Sequence, residues 1–263
     1  VLASLLGDER VDSIVGISRR RREWSPDRVE WVEADISREP LEQHLRGADV
    51  LIHLAWAIQP SRDEAETHRI NVEGSEYLFD AAARCEIPAL VYASSVGAYS
   101  PRDASGEPVD ESWPTGGIGS SFYSRHKAMV ETILDRFEAA NPETRVVRLR
   151  PALIFKGDAG SEIRRLFGGP LVPSRLLRPG ALPVVPWIAG MRTQAVHTDD
   201  VAEAYRLAAT SSARGAFNIA AEPPLDASTV GEALDARVLE LPARAVRALA
   251  QASWDMRLQP TPP

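Results

Sequence analysis

The strongest constraint on this chain is a rhythm of short, nearly continuous apolar runs. Asp49-Val50-Leu51-Ile52-His53-Leu54-Ala55, Ala89-Leu90-Val91-Tyr92-Ala93-Ser94-Ser95 and residues 144–149 each read as a strand. Ser13-Ile14-Val15-Gly16-Ile17 and Glu30-Trp31-Val32-Glu33-Ala34 read the same way earlier in the chain. Helical spacing predicts helices over residues 1–6, 41–45, 71–84 and 121–139. Strands this apolar are buried on both faces, and strand–helix alternation at this spacing supplies the helices that bury them. Right-handed crossovers then give an α/β fold, a doubly wound parallel sheet of Rossmann-like form. No internal repeat or low-complexity stretch competes with that expectation.

Beyond Pro151 the rhythm loosens. Pro170, Pro173, Pro179, Pro183 and Pro186 mark an irregular region, expected to be a small substrate-side lobe. Residues 196–209 return to helical spacing and residues 216–219 to a strand. The expected organisation is a dinucleotide-binding domain over residues 1–150 and a mixed substrate lobe over residues 151–263. Rossmann segments return within that lobe near residues 192–220.

Composition narrows the function classes. The formal net charge is −7, so no electrostatic footprint for nucleic acid is expected. The one basic cluster, residues 19–22, reads as a solvated turn after a strand. A single cysteine, Cys85, rules out an intramolecular disulfide and a cysteine-based metal site; it reads as a buried structural thiol. No metal site is expected. No apolar run reaches membrane-spanning length and no signal peptide is evident, so the expected compartment is the cytoplasm.

A dinucleotide-binding domain normally opens with a strand and a glycine-rich turn whose backbone N–H groups meet the pyrophosphate. This sequence contains no GxxGxxG and opens within what should be the following helix. The expectation is a chain trimmed at its start; the alternative is a cofactor site lacking that turn. The ending, Gln259-Pro260-Thr261-Pro262-Pro263, is expected to be trimmed as well.

The sharpest chemical feature is Tyr123-Ser124-Arg125-His126-Lys127. Residues four apart on a helix share a face. A free tyrosine titrates near pH ~10, too high for a base at neutral pH, and a nearby ammonium favours the phenolate. The pair can therefore form a working acid/base, although the same spacing also arises by chance on surface helices. Upstream, the strand that ends in Ser94-Ser95 places hydroxyls where open α/β sheets carry their catalytic groups. Ser95 there can steady charge on a substrate oxygen, or simply cap the next segment.

Taken in order, several segments resemble an extended short-chain dehydrogenase/reductase of the NAD-dependent epimerase/dehydratase type. They are Asp35-Ile36, Ile52-His53-Leu54-Ala55, Asn71-Val72-Glu73-Gly74, Ser94-Ser95 with Tyr123 and Lys127, Arg150-Pro151-Ala152-Leu153-Ile154-Phe155, His197-Thr198-Asp199-Asp200-Val201-Ala202 and Gly215-Ala216-Phe217-Asn218-Ile219. The likeness spans roughly residues 1–220. It implies Tyr123 as acid/base, Lys127 as the group that lowers its pKa and holds the nicotinamide ribose, and Ser95 as the group on the reacting oxygen. Asp35 and Ile36 would lie near the adenine, with Leu54, Ala55, Asn71 and Pro151 along the cofactor. Arg192 and Gln194 would lie on the substrate side, and His197 would be a packed structural histidine. A homodimer built on the helices at residues 71–84 and 121–139 is also implied.

Two departures from the family pattern bear on specificity. Trp56 follows Leu54-Ala55 where a small residue is common; it could narrow the site or pack on the substrate. Ser18-Arg19-Arg20 ends the first strand, and an arginine there suits a 2′-phosphate better than the acid that binds ribose hydroxyls, which favours NADP over NAD. Three functions follow: an oxidoreductase or epimerase/dehydratase on a nucleotide sugar or similar polyol, a reductase or dehydrogenase of an apolar, steroid-like or flavonol-like ketone or alcohol, and a non-catalytic dinucleotide sensor. The intact Ser95, Tyr123 and Lys127 set favours an enzyme with a small-molecule substrate.

Overall fold

The computed structural model describes residues 1–20, 22–59, 62–102, 108–156, 180 and 182–258. Pro170, Pro173 and Pro179 lie outside the described residues. The chain divides into two compact units, one of residues 1–151 and 199–219, the other of residues 152–198 and 220–263.

The first unit is parallel throughout its ladders. Strands β3 (Val50–His53), β4 (Ala89–Ala93), β5 (Arg145–Pro151) and β9 (Gly215–Ile219) lie in the order β3-β4-β5-β9. Leu90 of β4 sits between Leu51 of β3 and Val146 of β5, and all three pairings run parallel. Strands β1 (Ile14–Ser18) and β2 (Val29–Glu33) form a further parallel pair. Gly16 of β1 faces Trp31 of β2, and a Cβ at Gly16 would lie 2.5 Å from the indole, so only glycine admits that ring.

The helices pack on these strands through apolar stripes. Helix α4 (Gly74–Arg84) buries Leu78, Phe79, Ala81 and Ala82, and α5 (Phe122–Ala140) buries Phe122, Val130, Ile133, Leu134 and Phe137. Phe79, Leu90, Tyr92, Val130, Leu134 and Val146 form one core cluster; Leu41, Leu45, Leu78, Ala82 and Ile87 form a second, joined by helix α2 (Glu42–Leu45). Each large side chain so buried stabilises the fold by about 1.5–3 kcal/mol before chain entropy is set against it. Helix α5 starts where Ser121 accepts a hydrogen bond from the Ser124 amide at 3.3 Å. Helix α1 (Leu2–Leu6) opens the chain.

Several boundaries differ from the sequence expectation. The helix expected from Asn71 begins earlier, as α3 (Glu64–His68), capped by Asp63 on the Glu66 amide at 3.0 Å. It passes through one π-helical turn, Arg69–Glu73, before α4. The helix expected from Val196 is preceded by a strand, β8 (Thr193–His197), and starts as α6 (Thr198–Thr210). Asp199 and Asp200 in the first turn of α6 favour that start through the helix dipole. Cys85 is half-buried at the end of α4 and donates weakly to the Glu42 carbonyl. His197, expected to be packed, is exposed at the end of β8.

In the second unit, β8 lies between β6 (Leu153–Phe155), which it pairs in parallel, and β10 (Ala221–Leu225), which it pairs antiparallel. Strand β7 (Val184–Ile188) pairs in parallel with β11 (Arg237–Leu241). Helix α7 (Ala227–Leu234) carries a capping box between Asp226 and Thr229, and α8 (Ala243–Asp255) follows. Among the described residues no helix is long and apolar enough to cross a membrane.

One packing detail has a pH signature. His126 is 1% exposed on α5, both ring nitrogens lack a hydrogen-bond partner, and its ring meets His68 and Phe122 edge-on. Burial, with a smaller push from His68, takes its pKa down to about 4. The unfolded chain therefore binds this proton first. The contribution of His126 is complete above about pH 6.5 and is lost as pH falls from there toward 4. His126→Phe is expected to reduce the loss of stability between pH 6.5 and 4 by up to about 1 kcal/mol per pH unit. Denaturant unfolding at pH 7 and pH 5 measures it; equal slopes for variant and wild type would contradict the assignment.

Candidate active site

The site is built at the end of β4. The ladder stops at Ala93, and Ser94 and Ser95 leave it. Ser95 adopts an extended backbone and caps the short 3₁₀ turn Val96–Ala98, accepting from the Gly97 amide at 3.0 Å. The Tyr123 phenol lies close by, and the Ser95 hydroxyl favours its ionised form. Gly97 lies in tight contact beneath this pair: a Cβ there would be 3.2 Å from Tyr123 Cε1 and 3.3 Å from Ser95 Oγ. Ser124 fastens the same turn to α5 by donating to the Gly97 carbonyl, while it accepts from the Ile118 amide at 2.6 Å.

Lys127 lies one helical turn beyond Tyr123 and is 3% exposed. Its Nζ donates to the Ala93 carbonyl at 2.6 Å. The Trp56 indole covers the ammonium, with Nζ 3.5 Å from the ring centroid, and meets Tyr123 edge-on at 5.9 Å. The indole is held by its loop. Asn71, fully buried, accepts from the Ala57 amide at 2.7 Å and donates to the Ala57 carbonyl at 2.8 Å. Both functions of the Asn71 amide are thus spent on the residue after Trp56. The indole Nε1 is buried without a hydrogen-bond partner, which opposes the cation–π attraction that holds the ring in place.

The electrostatics reverse one sequence expectation. The Tyr123–Lys127 spacing predicts a phenol lowered by the ammonium. In the structure burial raises the Tyr123 phenol, with the nearby Ser95 hydroxyl as the opposing influence. Nζ stands 5.8 Å from the Tyr123 ring centroid. Burial also brings the Lys127 ammonium down to about 7, against the support of Glu131. Desolvation dominates for both groups, which lie beside the same indole. His53, 2% exposed at the end of β3, is driven down to about 3 by burial and then by the charge of Lys127; its Nε2 lies 2.8 Å from Ser75 Oγ.

Beneath the site lies a network that sequence reasoning missed. Glu131 is fully buried on α5 and accepts from Ser94 Oγ at 2.5 Å, from Arg150 at 2.9 and 3.0 Å, and from Arg148 at 3.1 Å. Hydrogen bonds from Arg150 and Ser94 hold its carboxyl below the usual range despite desolvation. Arg150 donates to Tyr99 Oη at 3.0 Å, and Tyr99 donates to Asn218 at 2.7 Å. The one local signal was position: Glu131 follows Lys127 by four residues, as Lys127 follows Tyr123.

The remaining expected site residues fall in two places. Leu54 and Ala55 are exposed just after β3, Arg19 is exposed just after β1, and Pro151 is buried at the end of β5. Asp35 accepts from Ser37 at 2.9 and 2.6 Å, which holds its carboxyl below the usual range against desolvation, with Ile36 half-buried beside it. All of these belong to the first unit. Arg192 and Gln194 belong to the second, where Gln194 donates to Glu222 at 3.3 Å.

The cover over Lys127 is testable directly. The sequence holds only two lysines, Lys127 and Lys156, so a lysine-selective NMR titration resolves Lys127 unambiguously. Trp56→Ala readmits solvent and is expected to raise the Lys127 pKa by about one pH unit or more. A titration unchanged from wild type would show that the indole does not shield the ammonium.

With this geometry in hand, comparison with known proteins is informative. The profile of the NAD dependent epimerase/dehydratase family matches residues 1–220. The chain is 30% identical over 177 residues to the 4-hydroxy-2-methyl-3-oxo-4-farnesyl-3,4-dihydroquinoline-1-oxide ketoreductase of Stigmatella aurantiaca, covering 65% of this chain and 48% of the ketoreductase. It is 32% identical over 108 residues to the decarboxylating sterol-4-alpha-carboxylate 3-dehydrogenase of Candida albicans, covering 41% of this chain and 30% of that enzyme. The chain thus spans less than half the length of these two relatives. Among solved structures, the UDP-N-acetylglucosamine 4-epimerase of Methanobrevibacter ruminantium M1 is similar at a TM-score of 0.70 and 19% identity, over 92% of this chain and 83% of the epimerase. The dTDP-glucose 4,6-dehydratase of Streptomyces venezuelae, solved with NAD, is similar at 0.70 and 20% identity, over 93% and 79%. The βα order, the parallel sheet and the match over residues 1–220 agree, and the chain belongs to the NAD dependent epimerase/dehydratase family.

Proposed function

We propose that the chain carries the proton-transfer half of an NAD(P)-dependent hydride-transfer site acting at a secondary alcohol or ketone carbon. The observation that carries this reading is the convergence of Ser95, Tyr123 and Lys127 at the end of β4. A bound nicotinamide dinucleotide would supply the hydride acceptor or donor, chemistry no protein side chain provides. The donor set fits its nicotinamide end. Lys127 commits one N–H to Ala93 and keeps two for ribose hydroxyls, provided the Trp56 indole gives way.

In this reading Tyr123 takes the proton from a substrate hydroxyl, or returns it to a carbonyl oxygen. Ser95, close to Tyr123 across Gly97, presents its hydroxyl to the same oxygen and steadies its developing charge. Burial alone raises the phenol, so Tyr123 becomes a base near neutral pH only when positive charge beside it offsets that burial. Lys127 supplies one such charge, and an oxidised nicotinamide ring would supply another.

Two substrate classes are supported by different observations. The structural neighbours include a UDP-N-acetylglucosamine 4-epimerase and a dTDP-glucose 4,6-dehydratase, which supports a nucleotide sugar. The Trp56 indole beside Tyr123, with a farnesylated-quinoline ketoreductase and a sterol dehydrogenase as sequence relatives, supports an apolar ketone or alcohol. The cofactor choice turns on Arg19, exposed after β1, whose charge reaches Asp35; it supports NADP, whereas the dehydratase neighbour holds NAD.

Tyr123→Phe keeps the ring and removes the acid/base. It is expected to lower turnover about 10³-fold while dinucleotide affinity, followed by fluorescence titration, changes little. Lys127→Met should weaken that affinity. Full activity in the Tyr123→Phe variant, on either substrate class, would sink the mechanism.

A further inference from the structure

The stripe on α5 does not end at Lys127. Tyr123, Lys127 and Glu131 follow one another at intervals of four, so they share one helix face. Two of them grip consecutive residues at the end of β4, Lys127 the Ala93 carbonyl and Glu131 the Ser94 hydroxyl, while Tyr123 lies against Gly97 beside the Ser95 hydroxyl. The grip of Glu131 is anchored most firmly. Both carboxylate oxygens of Glu131 are saturated, Oε1 by Ser94 and Arg150, Oε2 by Arg150 and Arg148. Arg148 shares itself further with Asp135 and Glu138.

We propose that Glu131 is a positioning residue of the reaction site, fixing Ser94 so that Ser95 meets Tyr123, and supplying the buried countercharge for the Lys127 ammonium. This rests on the function proposed above. Among the described residues, the groups facing Lys127 are Tyr123 and Glu131 from its own helix, Tyr92 from β4, His53 from β3 and the Trp56 indole. Glu131 is the one acid in that set. Its negative charge opposes the burial that drives the ammonium toward its neutral form. A packing residue need only fill the space and bond Ser94; a carboxylate is required to set the charge of Lys127.

The test reads that charge without cofactor or substrate. In lysine-selective NMR, Glu131→Gln keeps the shape and removes the charge, and the Lys127 pKa is expected to fall by about one pH unit. Arg148→Met removes one of the two guanidiniums that share the carboxylate, and the Lys127 pKa is expected to rise. Opposite signs from two neighbouring substitutions are not what loosened packing produces. If Glu131→Gln does not fold, the Arg148→Met titration decides alone. A Lys127 titration that is unmoved or lowered by Arg148→Met, or unmoved by a folded Glu131→Gln, overturns the proposal. With dinucleotide added, Glu131→Gln should bind about tenfold more weakly near neutral pH and recover as pH falls. A weakening that does not recover at low pH also counts against it. If wild type binds no dinucleotide, the proposed function fails, whereas the cofactor-free titrations still decide whether Glu131 sets the charge of Lys127.

Discussion

One buried ammonium organises the first unit. Lys127 is 3% exposed, and taking a cation out of water is expensive unless the surroundings replace what water gave it. The replacements come from three directions. The Ala93 carbonyl accepts at the strand end, the Trp56 indole offers its π-face, and Glu131 supplies negative charge one turn along the helix. They only partly succeed, which is why the ammonium titrates near 7. A group held so close to neutrality responds to any change in its neighbours, and that makes it suited to a site where charge must come and go.

The fold supplies these neighbours for physical reasons that can be traced back to the strands. A parallel sheet buried on both faces ends each strand at the same edge, and β3 and β4 deliver the Trp56 loop and the Ala93–Ser94–Ser95 corner side by side. Asn71, in the π-helical turn, fixes the Trp56 loop through Ala57. Glu131 and Arg150 tie α5 to β5, and Arg150 passes the connection through Tyr99 to Asn218 on β9. Each tie is a buried polar group with its hydrogen bonds met, which lends the corner one defined geometry. Tyr92 Oη, Arg148 Nε and the Trp56 indole N–H are buried there without partners, and the indole is the side chain that would yield in the proposed site for a dinucleotide to reach Lys127.

What the sequence disclosed follows from the range of the forces involved. Apolar runs such as Leu90-Val91-Tyr92 and the Ser121 cap are local signals, and β1 to β5, β9 and α5 stand within a few residues of expectation. The start of α3 was missed because its signal is a single cap, Asp63, ahead of a polar segment. Only Val196 and His197 of strand β8 fall within the helix the sequence predicts, because Val196 fits either period. In the site, the Tyr123–Lys127 spacing was legible because the helix brings i and i+4 together. The Glu131–Arg150 pair was not, since its partners lie 19 residues apart on different elements. The direction of the Tyr123 shift was misjudged for a related reason. Charge can be counted along a chain, but burial under Trp56, which is distant in sequence, cannot.

The central claim is that Lys127 and Tyr123 form the nicotinamide end of a dinucleotide site. Its most direct test follows the Lys127 ε-methylene by lysine-selective NMR while NAD or NADP is added to the protein. With Nζ 3.5 Å from the indole centroid, that signal should begin displaced by the ring current of Trp56. The signal is expected to move toward its ordinary position and saturate with whichever dinucleotide binds, as ribose replaces indole. A Lys127 signal indifferent to both dinucleotides would contradict it.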